Sequence, residues 1–410
     1  MDAGCFANNR ARLAASLPAG SLAVIATGPY AIPCGADSSA PWPDFYYFTG
    51  LRLPQAALLV RATGSGPAHS ILFVPQRDAR DLLWEGPEEA HGIDDVRPWT
   101  SFEPVLRAMA FQSQQLLVQA PENPCAPQED AWLVNLCRRL LPLHPIDRLA
   151  PLTGRLRAVK QPAEIAALKA AGAVAADAFR RAIGAVRPGV RGFQIKAEFL
   201  HESVSRGSRG FACPPLTASG KETLTLHWNG DRRPWNADET ALLDFTMEWN
   251  GLCVDTARCV PVGGRFSPRH RVIYDAAARA LHFATAALRP GRLLSECQQD
   301  TALFLQGELL RLGLLKAHDI RDPRVPSPAL QRHFMHDAYH HVGHEVHDPV
   351  PHDLPLAAGQ VIAIEPGIYV PDEGFGIRLE NTALLTITGA ESLLPGLPVE
   401  AEAIETLLEV

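Results

Sequence analysis

Residues 336–348, HDAYHHVGHEVHD, hold five of the fifteen histidines in the chain, at positions 336, 340, 341, 344 and 347. Imidazole binds divalent transition metals and also exchanges protons near neutral pH, so the run indicates metal or acid–base chemistry. HEVHD does not match the zinc motif HExxH, because its second histidine falls one position early and Asp348 takes the required place. His340 and His344 could bind one zinc ion if they were helical, but the glycine and proline of VGHEVHDP favour an irregular or strand-like segment.

Two aspartates form a second candidate group, in TALLDFTMEWNGLCVDTARCV at 240–260. The Asn-Gly pair between two apolar, β-prone runs is a strong signal for a β-hairpin with a two-residue loop. In that register Thr246 faces Asp255, and Asp244 and Asp255 are diagonal neighbours on one face, about 7–8 Å apart at the backbone. Such a pair repels unless a cation or a proton neutralises it, or unless one aspartate points into solvent beyond the strand end.

Two glutamates interrupt later apolar strands. Glu365 follows VIAI and precedes Pro-Gly, and Glu380 lies within GIRLEN. Each alone is often only an edge residue, and the hairpin does not show that either joins the aspartates. Four carboxylates and one imidazole are nevertheless suitable ligands for two divalent ions, whose charges they balance. A two-metal site with a bridging water suits hydrolysis.

Composition limits the classes of function. The net charge of −7, with no basic stripe, excludes nucleic acid and acidic membrane surfaces as expected partners. No apolar run reaches the length of a membrane span, and the N-terminus lacks the pattern of a signal peptide. The eight cysteines are scattered without a CxxC pair, which indicates reduced thiols. A cytoplasmic protein is predicted.

The elements that must position these side chains fall into two halves. Over residues 1–155, the strand-like runs SLAVIATGP, AALLVR and SILFVP alternate with helical patterns such as DAWLVNLCRRLL, which predicts an α/β domain. The segment PWPDFYYFTGL is predicted to be a loop. From residue 156 to 410, long helices such as PAEIAALKAAGAVAADAFRRAI accompany strand hairpins, which predicts an α+β domain.

Taken together, these segments resemble the pita-bread (M24) metallopeptidase family, in the branch of aminopeptidase P and the prolidases. LLDFTMEWNGLCVDTAR is similar to its segment with two aspartate ligands, FMHDAYHHVGHEVHD to its histidine segment, and IEPGIY and GIRLEN to its two glutamate segments, in family order. RLRAVKQPAEIAALKAA resembles the linker helix, and DFYYFTGL with LLWEG resembles the creatinase-like N-terminal domain. The resemblance implies that domain at 1–155 and a pita-bread (creatinase/aminopeptidase-like) catalytic domain at 156–410.

The resemblance also implies the roles of individual residues. The implied metal ligands are Asp244, Asp255, His340, Glu365 and Glu380, with Asp255 and Glu380 bridging two divalent ions. The other implied active-site residues are His227, His336, His347 and Arg378. Of these, His227 and His347 would stabilise an oxyanion, and His336 and Arg378 would position the substrate. Manganese is expected in this branch, and oxygen-rich sites also accept zinc, cobalt or iron.

The implied activity is hydrolysis of the N-terminal Xaa-Pro bond of peptides by a water that bridges two metal ions, with Glu365 as general base. A homo-oligomer, dimer or tetramer, is expected, because Trp84 matches a tryptophan that can reach a neighbouring subunit's active site. An Xaa-Pro dipeptidase (prolidase) is the first alternative. A non-catalytic binding protein and a metal-free amidinohydrolase of the same fold are disfavoured, because all five ligands are present.

Six positions depart from the family pattern, and none removes a ligand. Asp337 and Thr246 replace glycines, and Leu252 replaces an aromatic residue. Asn381 replaces an aspartate, Cys259 replaces a threonine, and His344 replaces an apolar residue. His341 and His344 match no ligand and are expected to line a cleft wall or to meet solvent. The departures leave the shape of the pocket, and so the substrate preference, open.

Overall fold

The structure is a computed structural model that describes residues 1–28, 43–62, 69–85, 92–93, 95–120 and 131–409. The chain forms two compact units, Met1–Arg157 with Pro349–Pro351, and Ala158–Asp348 with His352–Val410. Within the described ranges, no helix combines the length and the apolar character that a bilayer crossing needs.

The first unit is built on a mixed sheet. Its strands are β1 (Ser21–Ala26), β2 (Ala57–Arg61), β3 (His69–Val74), β4 (Asp95–Pro98), β5 (Gln115–Val118) and β6 (Ile146–Arg148), in the order β4-β3-β2-β1-β5-β6. The pairs β1–β2 and β2–β3 are antiparallel, and the other three pairs are parallel. The helices are α1 (Ala3–Ser16), α2 (Pro43–Thr49), α3 (Ala79–Glu85), α4 (Phe102–Ala110), α5 (Trp132–Leu140) and α6 (Ala150–Ala158). The α/β prediction is confirmed.

Helices cover both faces of this sheet. Along β1, Ala23 and Ile25 pack with residues of α1 and α2, whereas Leu22 and Val24 pack with residues of α4 and α5. Successive side chains of a strand point to opposite faces, so a strand covered on both faces is apolar throughout. This burial explains the continuous apolar run at 21–26, which is buried at every position.

The prediction of a loop over PWPDFYYFTGL is wrong for its described part, because Pro43–Thr49 form α2. Proline is compatible with the first turn of a helix, where its missing N–H has no partner to lose. Phe45 and Phe48 are fully buried in the core of the first unit. Their tertiary packing outweighs the modest helix propensity of aromatic residues.

The second unit combines antiparallel sheets with long helices. Its strands are β7 (Gly210–Phe211), β8 (Leu216–Ser219), β9 (Thr240–Trp249), β10 (Leu252–Pro261), β11 (Tyr339–His341), β12 (Val361–Ile364), β13 (Gly367–Val370), β14 (Phe375–Arg378), β15 (Asn381–Leu385) and β16 (Ala390–Ser392). Its helices are α7 (Pro162–Gly184), α8 (Gly192–Ser205), α9 (Pro268–Ala287), α10 (Leu294–Arg311) and α11 (Ala401–Thr406). The α+β prediction is confirmed.

Two of its sheets matter for the site. In one, β9 pairs with β10 and also with β7 and β8; in the other, the order is β11-β12-β15-β16. The strands β13 and β14 form a separate pair. Helix α7 begins with Pro162 at its first turn and with a reciprocal cap in which the N–H of Gln161 donates to Glu164.

Candidate metal centre

The β9–β10 hairpin holds two aspartates on one face, in the predicted register. Thr246 pairs with Asp255, which makes Asp244 a diagonal neighbour of Asp255. The loop residues Asn250 and Gly251 have φ values of 51° and 79°. A two-residue hairpin loop requires such left-handed backbone, which asparagine and glycine tolerate best. The hairpin prediction is confirmed.

The second sheet brings one histidine and two glutamates to this face. His340 lies in β11, and Glu365 directly follows the neighbouring strand β12. Glu380 directly precedes β15. The N–H of Glu380 donates to the carbonyl of Ala257 in the hairpin at 3.0 Å, which forms a β-bridge. This backbone bridge joins the two sheets beside the carboxylates. It explains how residues more than a hundred positions apart meet.

The imidazole of His340 is surrounded by carboxylate oxygens. Its Nε2 lies 3.7 Å from an oxygen of each of Asp255, Glu365 and Glu380. This separation is too long for a hydrogen bond. Two ligand atoms that are each about 2.1 Å from one ion can lie up to about 4.2 Å apart. The space between these atoms therefore fits a divalent ion. In agreement, one ligand atom from each of Asp255, His340 and Glu380 lies within 4.8 Å of the other two.

Asp244 adjoins the same cluster and is paired with an arginine. Its carboxylate accepts a hydrogen bond from Nη2 of Arg378, a side chain that is itself buried. The charge of Asp244 helps to raise the pKa of Asp255 and of Glu380, so it acts on both carboxylates. Arg378 balances part of the negative charge at this side of the cluster.

The electrostatics of the cluster fit a cation. Burial, followed by the charge of Asp244, raises the pKa of Asp255 to about 6. Burial and the charge of Asp255 raise the pKa of Glu380 well above its usual range, and burial with the charge of Glu380 does the same to Glu365. Buried carboxylates that repel one another gain most from a bound cation, and an oxygen-rich set with one imidazole accepts several divalent ions.

Divalent metal is therefore expected to raise the melting temperature more at about pH 7.5 than at about pH 5. The folded-state pKa of Asp255, about 6, lies above its unfolded value of about 3.9. Protonation of Asp255 therefore stabilises the folded protein. This stabilisation is fully present below the pKa that Asp255 has in the unfolded chain, and it is lost as the pH rises through the pKa that Asp255 has in the folded protein. Metal replaces that proton. Melting curves of EDTA-treated protein with and without Mn²⁺ measure the shift, and an equal shift at both pH values would contradict the prediction.

Two further histidines border the cluster. Nδ1 of His336 lies 3.8 Å from Oε2 of Glu365 and donates to the carbonyl of Asp337 at 2.8 Å. The ring of His347 meets that of His340 edge to face, with 4.4 Å between centroids. Burial lowers the pKa of both His336 and His347 to about 4. Both rings are therefore neutral at pH 7, so each offers one donor and one acceptor.

His227 completes the set of predicted residues. It is exposed, it follows the 3₁₀ turn Gly220–Leu224, and its charge contributes to the lowered pKa of His347. The structure thus brings the predicted metal ligands, the three other histidines and Arg378 into one region.

Tyr369 is a site residue that the sequence analysis did not single out. Its hydroxyl accepts a hydrogen bond from Nη1 of Arg378 at 3.2 Å and donates to Nε2 of His336 at 2.9 Å. Burial raises the pKa of Tyr369 to about 12, so the phenol stays protonated. The signal in the sequence was its position in IEPGIY, four residues after Glu365.

Thr246, one of the departures from the family pattern, gains a role in the structure. Its hydroxyl donates to Oδ1 of Asp255 at 2.7 Å and lies 3.2 Å from the thiol of Cys213. The hydroxyl therefore orients the carboxylate that the resemblance assigns as a bridge. A glycine at this position would leave that oxygen without this donor.

The prediction that His344 lines a cleft wall or meets solvent is wrong, because its side chain is buried against Glu164. His341 is also buried and does not meet solvent. Nε2 of His344 lies 3.0 Å from Oε1 of Glu164, and both side chains are 1% exposed. Glu164 belongs to the first turn of α7, so its partner lies 180 positions away in sequence. Because His344 is paired with Glu164, it is not available to bind a lone zinc ion together with His340.

A second buried pair fixes the same segment. Nζ of Lys160 lies 2.9 Å from Oδ2 of Asp348, and both side chains are fully buried. Asp348 also accepts from the N–H of Glu345. A side chain at Gly343 would overlap Asp348 and Lys160, so only glycine leaves room for this pair. The segment 342–348, which contains His347, is irregular as predicted and is held at two points by residues around the start of α7.

Comparison with known proteins identifies the family. The model of metallopeptidase family M24 matches residues 166–387, and that of the aminopeptidase P N-terminal domain matches residues 6–118. The chain is 30% identical to the Xaa-Pro aminopeptidase of Escherichia coli (strain K12), over 98% of this chain and 97% of that protein. It is 28% identical to Xaa-Pro aminopeptidase 3 of Homo sapiens, over 89% and 76% of the two chains.

Solved structures agree along the whole chain. The zinc-substituted E. coli aminopeptidase P in complex with product matches with a TM-score of 0.87 at 27% identity, covering 100% of this chain and 98% of that one. Proline aminopeptidase P II from Yersinia pestis matches with a TM-score of 0.86 at 27% identity and covers 100% of both chains. The fold is therefore the α/β N-terminal domain with the pita-bread catalytic domain. The chain belongs to metallopeptidase family M24.

Proposed function

We propose that this protein is a metal-dependent aminopeptidase that hydrolyses the N-terminal Xaa-Pro bond of peptides. The observation that most strongly supports the proposal is the convergence of three carboxylates on Nε2 of His340, each at 3.7 Å. Two bacterial relatives, matched over 98% and 89% of this chain, are named Xaa-Pro aminopeptidases. One solved neighbour, E. coli aminopeptidase P, is described with the inhibitor Pro-Leu.

The proposed ligands are the five residues of the cluster, Asp244, Asp255, His340, Glu365 and Glu380. These residues would hold two ions, because four carboxylate charges balance two dications. That Asp255 and Glu380 would be shared between the ions is implied by the family resemblance. When bound, the ions lower the pKa of water and neutralise charge on the scissile carbonyl oxygen. Manganese is the proposed metal, since the donor set is rich in oxygen.

Glu365 is the proposed general base. One of its oxygens faces His340 at 3.7 Å, and the other lies 3.8 Å from Nδ1 of His336. The carboxylate would take a proton from the attacking water and deliver it to the leaving nitrogen of proline. Burial raises the pKa of Glu365, so its carboxylate, when ionised, is a stronger proton acceptor than a solvent-exposed one.

The surrounding side chains would bind the substrate. His227 and the neutral ring of His347 can each donate a hydrogen bond to the oxyanion. His336, Tyr369 and Arg378 form a hydrogen-bonded row beside Glu365 and Asp244. This row would position the peptide against the base, because its members are buried or half-buried and hold one another in place.

A peptide panel tests the function. Metal-loaded protein is expected to cleave Ala-Pro-Ala at least about tenfold more efficiently than Ala-Ala-Ala, because a site shaped for proline rejects a smaller residue. Free alanine is measured by chromatography, and EDTA-treated protein is the control. Cleavage of the dipeptide Ala-Pro without cleavage of Ala-Pro-Ala would favour the prolidase alternative. Metal binding without cleavage of any peptide would favour a binding protein.

Two further properties stay predictions. A homo-oligomer is supported by Leu83 and Trp84, which are 83% and 77% exposed on α3 and form an apolar surface suited to a second copy. A cytoplasmic location is supported by the free thiols of five described cysteines, at positions 137, 213, 253, 259 and 297; Cys34 and Cys125 lie outside the described residues.

A further inference from the structure

A cavity of about 470 Å³ lies beside the metal centre in the second unit. His336 lines it, and Nδ1 of the same ring lies 3.8 Å from Oε2 of Glu365. A group in the cavity is therefore separated from the proposed general base by a single side chain. Cavities of this size hold side chains or small ligands.

The wall of the cavity combines polar and apolar surface, and the polar part is the larger. It includes Leu330, Phe334 and Met335, and the ring of Phe334 packs edge-on against His336 with 5.0 Å between centroids. The amide oxygen of Gln298, which also lines the cavity, already accepts a hydrogen bond from the N–H of Ala338 at 2.7 Å. Leu330, Phe334 and Met335 form the apolar part of the wall, against which the methylene stem of a long side chain can pack.

Asp337 gives the cavity its charge. It is the one acidic side chain among the lining residues, which include no lysine or arginine. Asp337 is exposed, and among the described residues no lysine, arginine or histidine forms an ion pair with it. The nearby Arg332 is paired with Asp372 at 2.6 Å instead. Asp337 is fixed relative to the site because its carbonyl accepts from Nδ1 of His336.

We propose that this cavity is a substrate subsite that selects a lysine or arginine side chain of the peptide, with Asp337 as the residue that binds its cation. This inference rests on the proposed function, because the cavity adjoins the centre that would cleave the peptide. The stem of the side chain packs on Leu330, Phe334 and Met335, and the cationic end meets the carboxylate. The cation belongs either to the first residue of the peptide or to the residue after proline.

Paired peptides that differ only in charge test the subsite. Lys-Pro-Ala is compared with norleucyl-Pro-Ala, and Ala-Pro-Lys with Ala-Pro-norleucine, because norleucine keeps the stem and lacks the ammonium group. The expected kcat/KM ratio, lysine over norleucine, is about fivefold in one of the two pairs, the size of an exposed ion pair. The peptide pair that shows this preference tells whether the subsite binds the residue before the scissile bond or the residue after proline. The ratio falls towards one as salt is raised from about 0.01 M to about 1 M.

Variants connect the preference to Asp337. Asp337→Asn is expected to bring the ratio to about one, and Asp337→Lys to invert it in favour of glutamate over norleucine. Glu391→Gln removes one exposed charge from β16, lines no part of the cavity, and leaves the ratio at its wild-type value. A ratio that is equal in wild type and Asp337→Asn, in both peptide pairs, overturns the subsite. Failure of wild-type protein to cleave any of these peptides overturns the proposed function instead.

Discussion

Replacing Asp255 by asparagine, or Glu380 by glutamine, is expected to reduce peptidase activity by roughly 10³-fold or more while the protein stays folded. Each of these carboxylates lies within the cluster around His340, and each is proposed to hold both ions. The amide that replaces it is neutral and binds a hard cation far more weakly. Elemental analysis of the purified variants should show less than two ions per chain, together with the loss of activity.

The same variants are expected to stabilise the metal-free protein, in contrast to their effect on activity. At neutral pH, burial and the charge of Asp244 oppose ionisation of Asp255, whose pKa is about 6. Asparagine removes that unfavourable charge, which is worth on the order of 1–3 kcal/mol. Urea denaturation in EDTA measures the gain, with Glu391→Gln as a control for the loss of an exposed carboxylate.

Activity and metal content equal to wild type would show that the bridging assignment is wrong.

Replacing Lys160 by methionine is expected to lower the free energy of unfolding by about 3–5 kcal/mol. The change leaves the carboxylate of Asp348 buried without its ammonium partner, and both side chains are fully buried in the wild type. The segment that contains His347 is held by this pair, so kcat should fall as well. Urea denaturation and steady-state kinetics at saturating metal measure the two effects.

A matched surface pair provides the control for that prediction. Lys196 and Asp231 are 3.2 Å apart with side chains that are 17% and 23% exposed, so Lys196→Met should cost less than about 1 kcal/mol. The double variant Lys160→Met with Asp348→Asn should recover much of the lost stability, because no buried charge remains. A double variant as unstable as Lys160→Met alone would show that the ion pair is not the cause.

The hairpin was predictable because its determinants are adjacent in sequence. An Asn-Gly loop fixes the register, and the register places Asp244 and Asp255 on one face without knowledge of the rest of the chain. The positions of Glu365 and Glu380 followed from family resemblance alone. Glu380 is aligned by a backbone bridge to Ala257, and Glu365 by the end of β12 beside β11. No local pattern encodes such a bridge.

Other features depend on partners that are distant in sequence. His344 lacks a local partner and was expected at a surface, but Glu164, from the start of α7, satisfies it in the interior. Residues 43–49 lie in a segment that is predicted to be a loop, yet burial of the aromatic rings selects the helix. In both cases tertiary packing decides a choice that propensity leaves open.

The bridge between Ala257 and Glu380 has a consequence for how the protein is supplied with metal. Hydrogen bonds within the protein, this main-chain bond among them, join the two halves of the cluster, so we expect the chain to fold before it binds an ion, unlike a zinc finger. Ions can therefore exchange in the finished protein, and competition among them follows affinity and abundance. Zinc or copper, which bind such sites more tightly, would displace the proposed manganese ion, so we expect the free-metal pool, rather than the assembly of the chain, to select the bound ion.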